Sequence, residues 1–267
     1  MNERKPRLTL LCGLSASGKS QYINTVLQDS GNEVITISTD GIRENICGRV
    51  EDQSKNKEVF QTFHSLIVKY LKNGIDVVAE ATNITMKSRR SILNVIKGID
   101  CEKVCVVIVK PIGECKKDNI DREHPVPGHV IDKQARKFQI PFLEEGWDEI
   151  KFVDHIHNKD KYNYRLENTW IPEIYNDFDQ KNPYHMESLG KHMTDAYDFS
   201  KKFHNDYSVL VATKYHDMGK LYTQTFDENG VAHYYGHENI GAYMMLVYEV
   251  ANQHSLFVNH NIGDIAF

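Results

Sequence analysis

The chain has only five cysteines, Cys12, Cys47, Cys101, Cys105 and Cys115. The number is odd, no CxxC pair occurs, and all five lie in the first half, which excludes a disulfide-stapled scaffold and a structural zinc knuckle and points to a reducing, cytoplasmic setting. Long apolar runs are missing too. None approaches the ~20 residues of a membrane-spanning helix, so no membrane partner is expected. The charged start MNERKPR leads directly into LTLLCG, too short an apolar stretch for a signal-peptide core. A basic excess is also lacking. The formal net charge is −5, which argues against a wide, non-specific nucleic-acid surface. With 40% hydrophobic and 10% aromatic residues in 267, the chain reads as one large or two medium globular domains.

The charge is unevenly spread. Residues 1–155 hold 23 Lys+Arg against 22 Asp+Glu, residues 156–267 hold 9 against 15, and 8 of the 13 histidines fall between His185 and His260. Two compositions suggest two modules. In the first, apolar strands (7–12, 34–38, 75–79, 103–109, 149–153) alternate with helical patterns, notably 57–72 and 86–97. Two-sided apolar strands alternating with helices predict an α/β fold, a parallel sheet covered by helices on both faces. Residues 156–181, polar with scattered Tyr162, Tyr164, Trp170, Tyr175 and Phe178, read as a connector. From Pro183 the pattern is helical, without convincing strands.

Gly13-Leu-Ser15-Ala16-Ser17-Gly18-Lys19-Ser20 matches GxxxxGK[ST] in full, between an apolar strand and a helix. Backbone amides and the helix N-terminus there can wrap a phosphate, with Lys19 reaching the β- and γ-phosphates and Ser20 ligating Mg²⁺. ATP and Mg²⁺ are therefore the expected cofactors. The next strand ends at Ser38-Thr39-Asp40, with Arg43 one helical turn on. Ligands bind beyond the carboxyl ends of such strands, so Asp40 could accept a hydroxyl proton and Arg43 hold an anionic acceptor group. Spacing alone equally allows an N-cap aspartate and a solvated arginine. Asn83 and Arg90, after the third strand, are further candidate acceptor contacts. Arg122, in a Pro/Gly-punctuated segment, and Arg136 beyond it are candidate lid arginines on the transferring phosphate, or ordinary surface arginines.

Residues 8–153 resemble the 5′-hydroxyl polynucleotide kinases, in particular the kinase module of bacterial RNA-repair kinase/phosphatases. The blocks that carry the resemblance are, in order, GLSASGKS, STDGIRENICG, EDQSKNKEVFQTFH, EATNITMKSRR, DREHPVPGHVI and EEGWDEI. The resemblance implies that Lys19 and Ser20 hold ATP and Mg²⁺, that Asp40 is the general base on the 5′-OH, that Arg43 binds the acceptor's terminal 3′-phosphate linkage, and that Arg122 is the lid arginine. Glu80 stands where that family usually has aspartate, which shifts the carboxylate by one methylene.

In the second half, His192, His216-Asp217 and His237 are spaced so that separate helices could bring them to one divalent ion able to activate water. The blocks NPYHMESLGKHM, YHDMGKLYT and GVAHYYGHENIGAYM resemble the HD superfamily of metal-dependent phosphohydrolases, closest to the HD region of some CCA-adding tRNA nucleotidyltransferases. That resemblance implies His192, His216 and Asp217 as ligands of Mn, Ni, Co or Zn, with His237 a further one and Lys220 on phosphate. The family's last ligand is an aspartate well downstream. Asp264 fits that place poorly, so the expectation is a chain that continues past Phe267 or an incomplete hydrolase site.

The combined expectation is a P-loop kinase domain over 1–155, a connector over 156–181 and an all-α HD-type domain over 182–267. Its partners would be 5′-OH nucleic-acid ends, RNA favoured, healed by phosphorylation and by removal of 2′,3′-cyclic or terminal phosphates. A P-loop kinase of a small alcohol or nucleoside, and a non-catalytic ATP-binding adaptor with an HD scaffold, stay open as alternatives.

Overall fold

A computed structural model describes residues 4–29, 33–157 and 173–252. The chain divides into two compact units, one from Met1–Ile131 and Pro141–His157, the other from Asp132–Ile140 and Asn158–Phe267. The expected boundary lies near 155, and the segment Asp132–Ile140 goes with the second unit.

In the first unit, β1 (Arg7–Cys12), β2 (Val34–Ser38), β3 (Asp76–Glu80), β4 (Glu102–Val109) and β5 (Glu149–Asp154) form one sheet in the order β2-β3-β1-β4-β5. Every pairing is parallel. The chain winds to one side of β1 through β2 and β3, then to the other through β4 and β5. Its winding therefore reverses at β1, the place where such sheets bind ligands. Leu8, Leu10, Leu11 and Cys12 of β1 and residues 104–109 of β4 are buried, as continuous apolar strands require. The helices are α1 (Lys19–Asp29), α2 (Thr39–Cys47), α3 (Asn56–Lys72), α4 (Met86–Val95) and α5 (Ile112–Ile120), while α6 (Gly128–Ala135) starts in this unit and ends in the segment Asp132–Ile140 of the second. The four-residue spacing of Val59, Phe63, Ile67 and Leu71 lays one stripe of α3 in the core. Each such side chain contributes about 1.5–3 kcal/mol when buried.

One ion pair fixes the strand ends. Arg89 of α4 and Glu145 are both fully buried, joined through Nη2–Oε1 at 2.6 Å and Nε–Oε2 at 2.8 Å. Trp147 Nε1 donates to the same carboxylate, and Arg89 Nη1 donates to the Asn83 carbonyl. Burial opposes the Arg89 charge, but the Glu145 hydrogen bonds outweigh it and raise the guanidinium pKa.

The second unit holds α7 (Glu173–Asn176), α8 (Leu189–Ser200), α9 (Tyr207–Tyr215), a 3₁₀ turn (Met218–Tyr222) and α10 (His237–Asn252). Ser188 caps α8 by accepting from Lys191 N, and Asp206 caps α9 by accepting from Ser208 N and Val209 N. Tyr175, Leu189 and Met193 form its core with Phe178, Tyr215, Met218 and Leu221. Phe138 packs on Tyr243 with ring centroids 4.6 Å apart, an aromatic anchor for the segment 132–140. The expectation of no strands after Pro183 needs one correction, because β6 (Thr225–Phe226) and β7 (Ala232–His233) form a short antiparallel hairpin. Two residues per strand are too few to show a period. Tyr162, Tyr164, Trp170 and Asp264 lie outside the described residues.

Candidate functional site

The first unit gathers its site at the carboxyl ends of β1, β2 and β3. The loop from Gly13 to Lys19 leaves β1, and the Gly13 amide donates to the Thr82 carbonyl at 3.0 Å. Ala16 (φ 61°) and Gly18 (φ 101°) turn the backbone left-handed. A Cβ on Gly18 would stand 2.2 Å from His155 Nδ1, so only glycine fits beneath that imidazole. Burial, with Lys110 adding repulsion, holds the His155 pKa down. Lys19 Nζ donates to the Leu14 and Gly13 carbonyls at 2.7 and 3.2 Å. Burial lowers the Lys19 pKa, Glu80 opposes the shift and Arg122 adds to it. Arg122 is thus exposed yet within electrostatic reach of Lys19.

Ser20 Oγ donates to Glu80 Oε1 at 2.7 Å. The longer glutamate therefore brings its carboxylate to the hydroxyl expected on Mg²⁺, and the pair offers two hard oxygens suited to that ion. Ser38, not Asp40, is the N-cap of α2 and accepts from Asp40 N. This leaves the Asp40 carboxylate, with its side chain 56% exposed, at the strand end. Arg43 is no solvated arginine either. Its side chain is 7% exposed, with Nη1 on Asp40 Oδ1 at 2.8 Å and Nη2 on Asn56 Oδ1 at 3.3 Å. Arg90 is exposed on α4.

Two expected site residues are placed otherwise. Asn83 is 4% exposed, takes φ 47°, and donates Nδ2 to the Leu11 carbonyl at 2.8 Å. Its amide braces the loop after β3 against β1. Arg136 belongs to the second unit's segment, where its Nη2 donates to the Tyr222 carbonyl and its own carbonyl accepts from Asn239 Nδ2 at 3.0 Å. Both sites had polar residues after a strand or on a helix face, and sequence spacing does not reveal which way such a side chain turns.

In the second unit, α8, the α9 end and the start of α10 converge on one carboxylate. Asp217 Oδ2 stands 3.2 Å from both His192 Nε2 and His216 Nε2, and Oδ1 stands 3.2 Å from His237 Nε2. His192 Nε2 and His216 Nε2 are 3.3 Å apart. The ligand atoms of His192, His216 and Asp217 lie within 4.8 Å of one another. Nδ1 of His216 meets the Thr213 carbonyl, and Nδ1 of His237 the Tyr234 carbonyl, each at 2.7 Å. A carbonyl can only accept, so each Nδ1 carries a proton, and each Nε2 faces Asp217, donating to it while protonated and open to a metal once that proton is lost. Burial works against the Asp217 charge, but hydrogen bonds from His216, His237 and Lys220 carry its pKa far below the usual carboxylate range. The Asp217 hydrogen bond in turn raises His216 and His237.

Of the supports of this centre, Gln180 and His185 had no signal strong enough to be singled out, whereas Lys220 was expected on phosphate. Lys220 Nζ bridges Asp217 Oδ2 at 2.7 Å and the wholly buried Gln180 at 3.1 Å. His185 packs edge-on against His192 at 5.3 Å. A Cβ on Gly219 would lie 1.9 Å from the His237 carbonyl, so the Gly of Met-Gly-Lys lets the 3₁₀ turn touch α10. That tripeptide was visible in the sequence, and its glycine was the available clue.

A GxxxxGK[ST] loop on the central strand of this sheet, with hydroxyl, carboxylate and lysine gathered around it, defines a P-loop kinase module. The family described as AAA domain (AAA_33) matches residues 8–141, half of the chain, and the chain belongs to that family. The L-seryl-tRNA(Sec) kinase of Methanococcus maripaludis is 28% identical over 144 residues, covering 53% of this chain and 56% of that protein. The chain thus spans about half the length of the curated relative it matches. Among solved structures, the Pnkp1/Rnl/Hen1 RNA repair complex is similar at 20% identity and TM-score 0.45, over 49% of this chain and 43% of that one. A gluconokinase from Sinorhizobium meliloti is similar at 18% identity and TM-score 0.39, over 57% of this chain and 83% of that one. Among the described residues, no helix is long and apolar enough to cross a membrane.

Proposed function

We propose that the first unit transfers the γ-phosphoryl group of ATP to a 5′-hydroxyl end of RNA, and that the second removes 2′,3′-cyclic or terminal phosphates. The observation that carries the kinase reading is the Asp40–Arg43 pair at the end of β2, with Arg43 buried and bonded to the carboxylate at 2.8 Å. A base must sit within hydrogen-bond reach of the proton it takes. Arg43 fixes one carboxylate oxygen, leaving the other exposed for an incoming hydroxyl. ATP and Mg²⁺ supply the phosphoryl group and neutralise its charge. Lys19 would exchange the loop carbonyls for the β- and γ-phosphates, Ser20 and Glu80 would hold the cation, and Arg122 would answer charge on the transferring group. The relative named for a tRNA acceptor supports an RNA-borne hydroxyl.

For the second unit the donor set suits a borderline transition metal such as Mn, Ni, Co or Zn, since three imidazole nitrogens and one carboxylate face inward, with Nδ1 of His216 and of His237 held on carbonyls from behind. Such an ion supplies an activated water. Asp217 and the three histidines would hold it, and Lys220 would steady Asp217.

Labelled ATP offered with a 5′-OH RNA, its DNA counterpart, seryl-tRNA and small alcohols tests the acceptor. Label at the RNA 5′ end is expected. Label confined to small alcohols overturns the reading, and label confined to seryl-tRNA replaces it with that of an aminoacyl-tRNA kinase. The 3′ chemistry is followed in parallel with and without chelator.

A further inference from the structure

The ammonium of Lys220, 6% exposed, is met on three sides. Nζ donates to Asp217 Oδ2 at 2.7 Å and to Gln180 Oε1 at 3.1 Å, and it stands over the Tyr234 ring, 5.4 Å from its centroid. That separation is within cation–π range. An ammonium has three donors and no acceptor, so two hydrogen bonds and a ring face keep Lys220 engaged inside the fold.

Tyr234 is tied from both ends. Its hydroxyl donates to the carbonyl of the wholly buried Gln180 and accepts from Gln224 Nε2 at 2.9 Å. These two bonds stop the ring from swinging off the ammonium. The Tyr234 carbonyl meets His237 Nδ1 at 2.7 Å and accepts from His237 N at 3.1 Å. Asp217 Oδ1 and His237 Nε2 are 3.2 Å apart. The contacts therefore close a circuit: Asp217 to Lys220, Lys220 to Tyr234, Tyr234 to His237, and His237 back to Asp217. Tyr235, next in the chain, is 75% exposed and stacks on His233.

A donor set holds an ion only when its members keep fixed mutual distances, and the groups behind the ligands set those distances. We infer that Tyr234 is a positioning residue of the second unit's centre. Its ring holds Lys220 against Asp217 while its carbonyl holds His237, so one residue sets two of the four inward donors. The inference rests on the reading of those donors as a metal centre.

The test is titration of the full chain with Co²⁺, the first unit being saturated with ADP and Mg²⁺, followed by the visible spectrum of the bound cobalt. Tyr234→Leu removes ring and hydroxyl and is expected to weaken cobalt binding about a hundredfold, and Tyr234→Phe, which keeps the ring, about tenfold. Tyr235→Ala keeps the wild-type affinity. At saturating cobalt the Tyr234→Leu spectrum should differ from wild type, because the ligands are rearranged. A residue that only stabilised the fold would leave that spectrum unchanged, so a wild-type spectrum overturns the inference. If Tyr234→Leu does not fold, Tyr234→Phe carries the same two measurements, and wild-type affinity in that variant overturns the inference. The loss from Tyr234→Leu should shrink in a Lys220→Met background, since both act on Asp217 through one contact. Equal losses in the two backgrounds reject the route through Lys220. Failure of the wild-type chain to bind cobalt rejects the metal-centre reading itself, and is told apart from the other outcomes by the unmutated protein alone.

Discussion

The two candidate sites are built in opposite ways. The first is made of backbone and of side chains with one end loose: Lys19 rests on carbonyls of its own loop, and Asp40 and Arg122 are exposed. The second is made of side chains braced from behind, with both Nδ1 atoms on carbonyls and Asp217 6% exposed under four charged or polar neighbours. A kinase must open to admit two substrates and then exclude water, so its groups wait in provisional contacts. An ion site must hold several donors at fixed distances, so its groups are set beforehand. The same contrast governs where the buried charge lies. In the first unit the fully buried ion pair, Arg89–Glu145, is in the scaffold. In the second the buried carboxylate is the centre itself.

The comparison breaks most sharply at Asp40. Asp40→Asn keeps the shape and removes the base, so phosphoryl transfer should fall about 10³-fold while ATP binding, measured by equilibrium titration, changes little. A variant that transfers at the wild-type rate removes Asp40 from the chemistry and leaves Arg43 without a partner of consequence.

Arg89→Leu tests whether the first unit's buried charge is scaffold only. It strands Glu145 in the core and should destabilise that unit by about 3–5 kcal/mol, read as a drop in the denaturant midpoint. The double variant Arg89→Leu/Glu145→Leu should recover most of the loss. If the double variant is as unstable as the single one, the packing of Trp147 and the Asn83 carbonyl, not the charge, is what the pair maintains.

His216→Ala sharpens the other side. Removing one of four inward donors should weaken metal retention at least a hundredfold, seen as metal content after dialysis, with cleavage of cyclic phosphates lost in step and ATP-dependent labelling unchanged. Retained metal with lost cleavage would make His216 a substrate contact instead of a ligand.

The sequence carried the first site better than its details, and the second site's composition better than its support. The phosphate loop is contiguous, so spacing alone located Gly13–Ser20. The sheet was legible because its strands are buried on both faces. What spacing could not give was direction. Asn83 and Arg90 both follow β3, yet the Asn83 amide turns inward to the Leu11 carbonyl while Arg90 faces solvent. Arg136 looked like a lid arginine because it follows Arg122 on a helix. Its segment packs by Phe138 and Tyr243, a long-range contact that no local pattern announces. Gln180 and His185 escaped for the same reason, each being ordinary until the fold brings it to Lys220 or His192.

The smallest effect concerns Glu249 of α10, a carboxylate outside both sites. Residue 249 is 9% exposed, and burial pushes its pKa up from 4.5 to about 7. The folded chain therefore keeps a proton that the unfolded chain has lost between about pH 4.5 and pH 7. Stability falls as the pH rises through that window and stays lowered above it. Glu249→Gln mimics the protonated form at every pH. It should raise stability by about 2 kcal/mol at pH 8 and by almost nothing at pH 5, where wild type is already largely protonated, a difference visible as a pH-dependent gap between the two Tm curves. A gap of equal size at both pH values would assign the gain to the amide's own hydrogen bonds. Because α10 begins at His237 and runs on to Glu249, the same pair of curves, measured with and without bound metal, also reports whether charge in the body of this helix reaches its metal-facing end. If Glu249→Gln leaves metal retention unchanged while shifting Tm, the centre is insulated from the helix behind it, as its local carbonyl braces at Thr213 and Tyr234 imply.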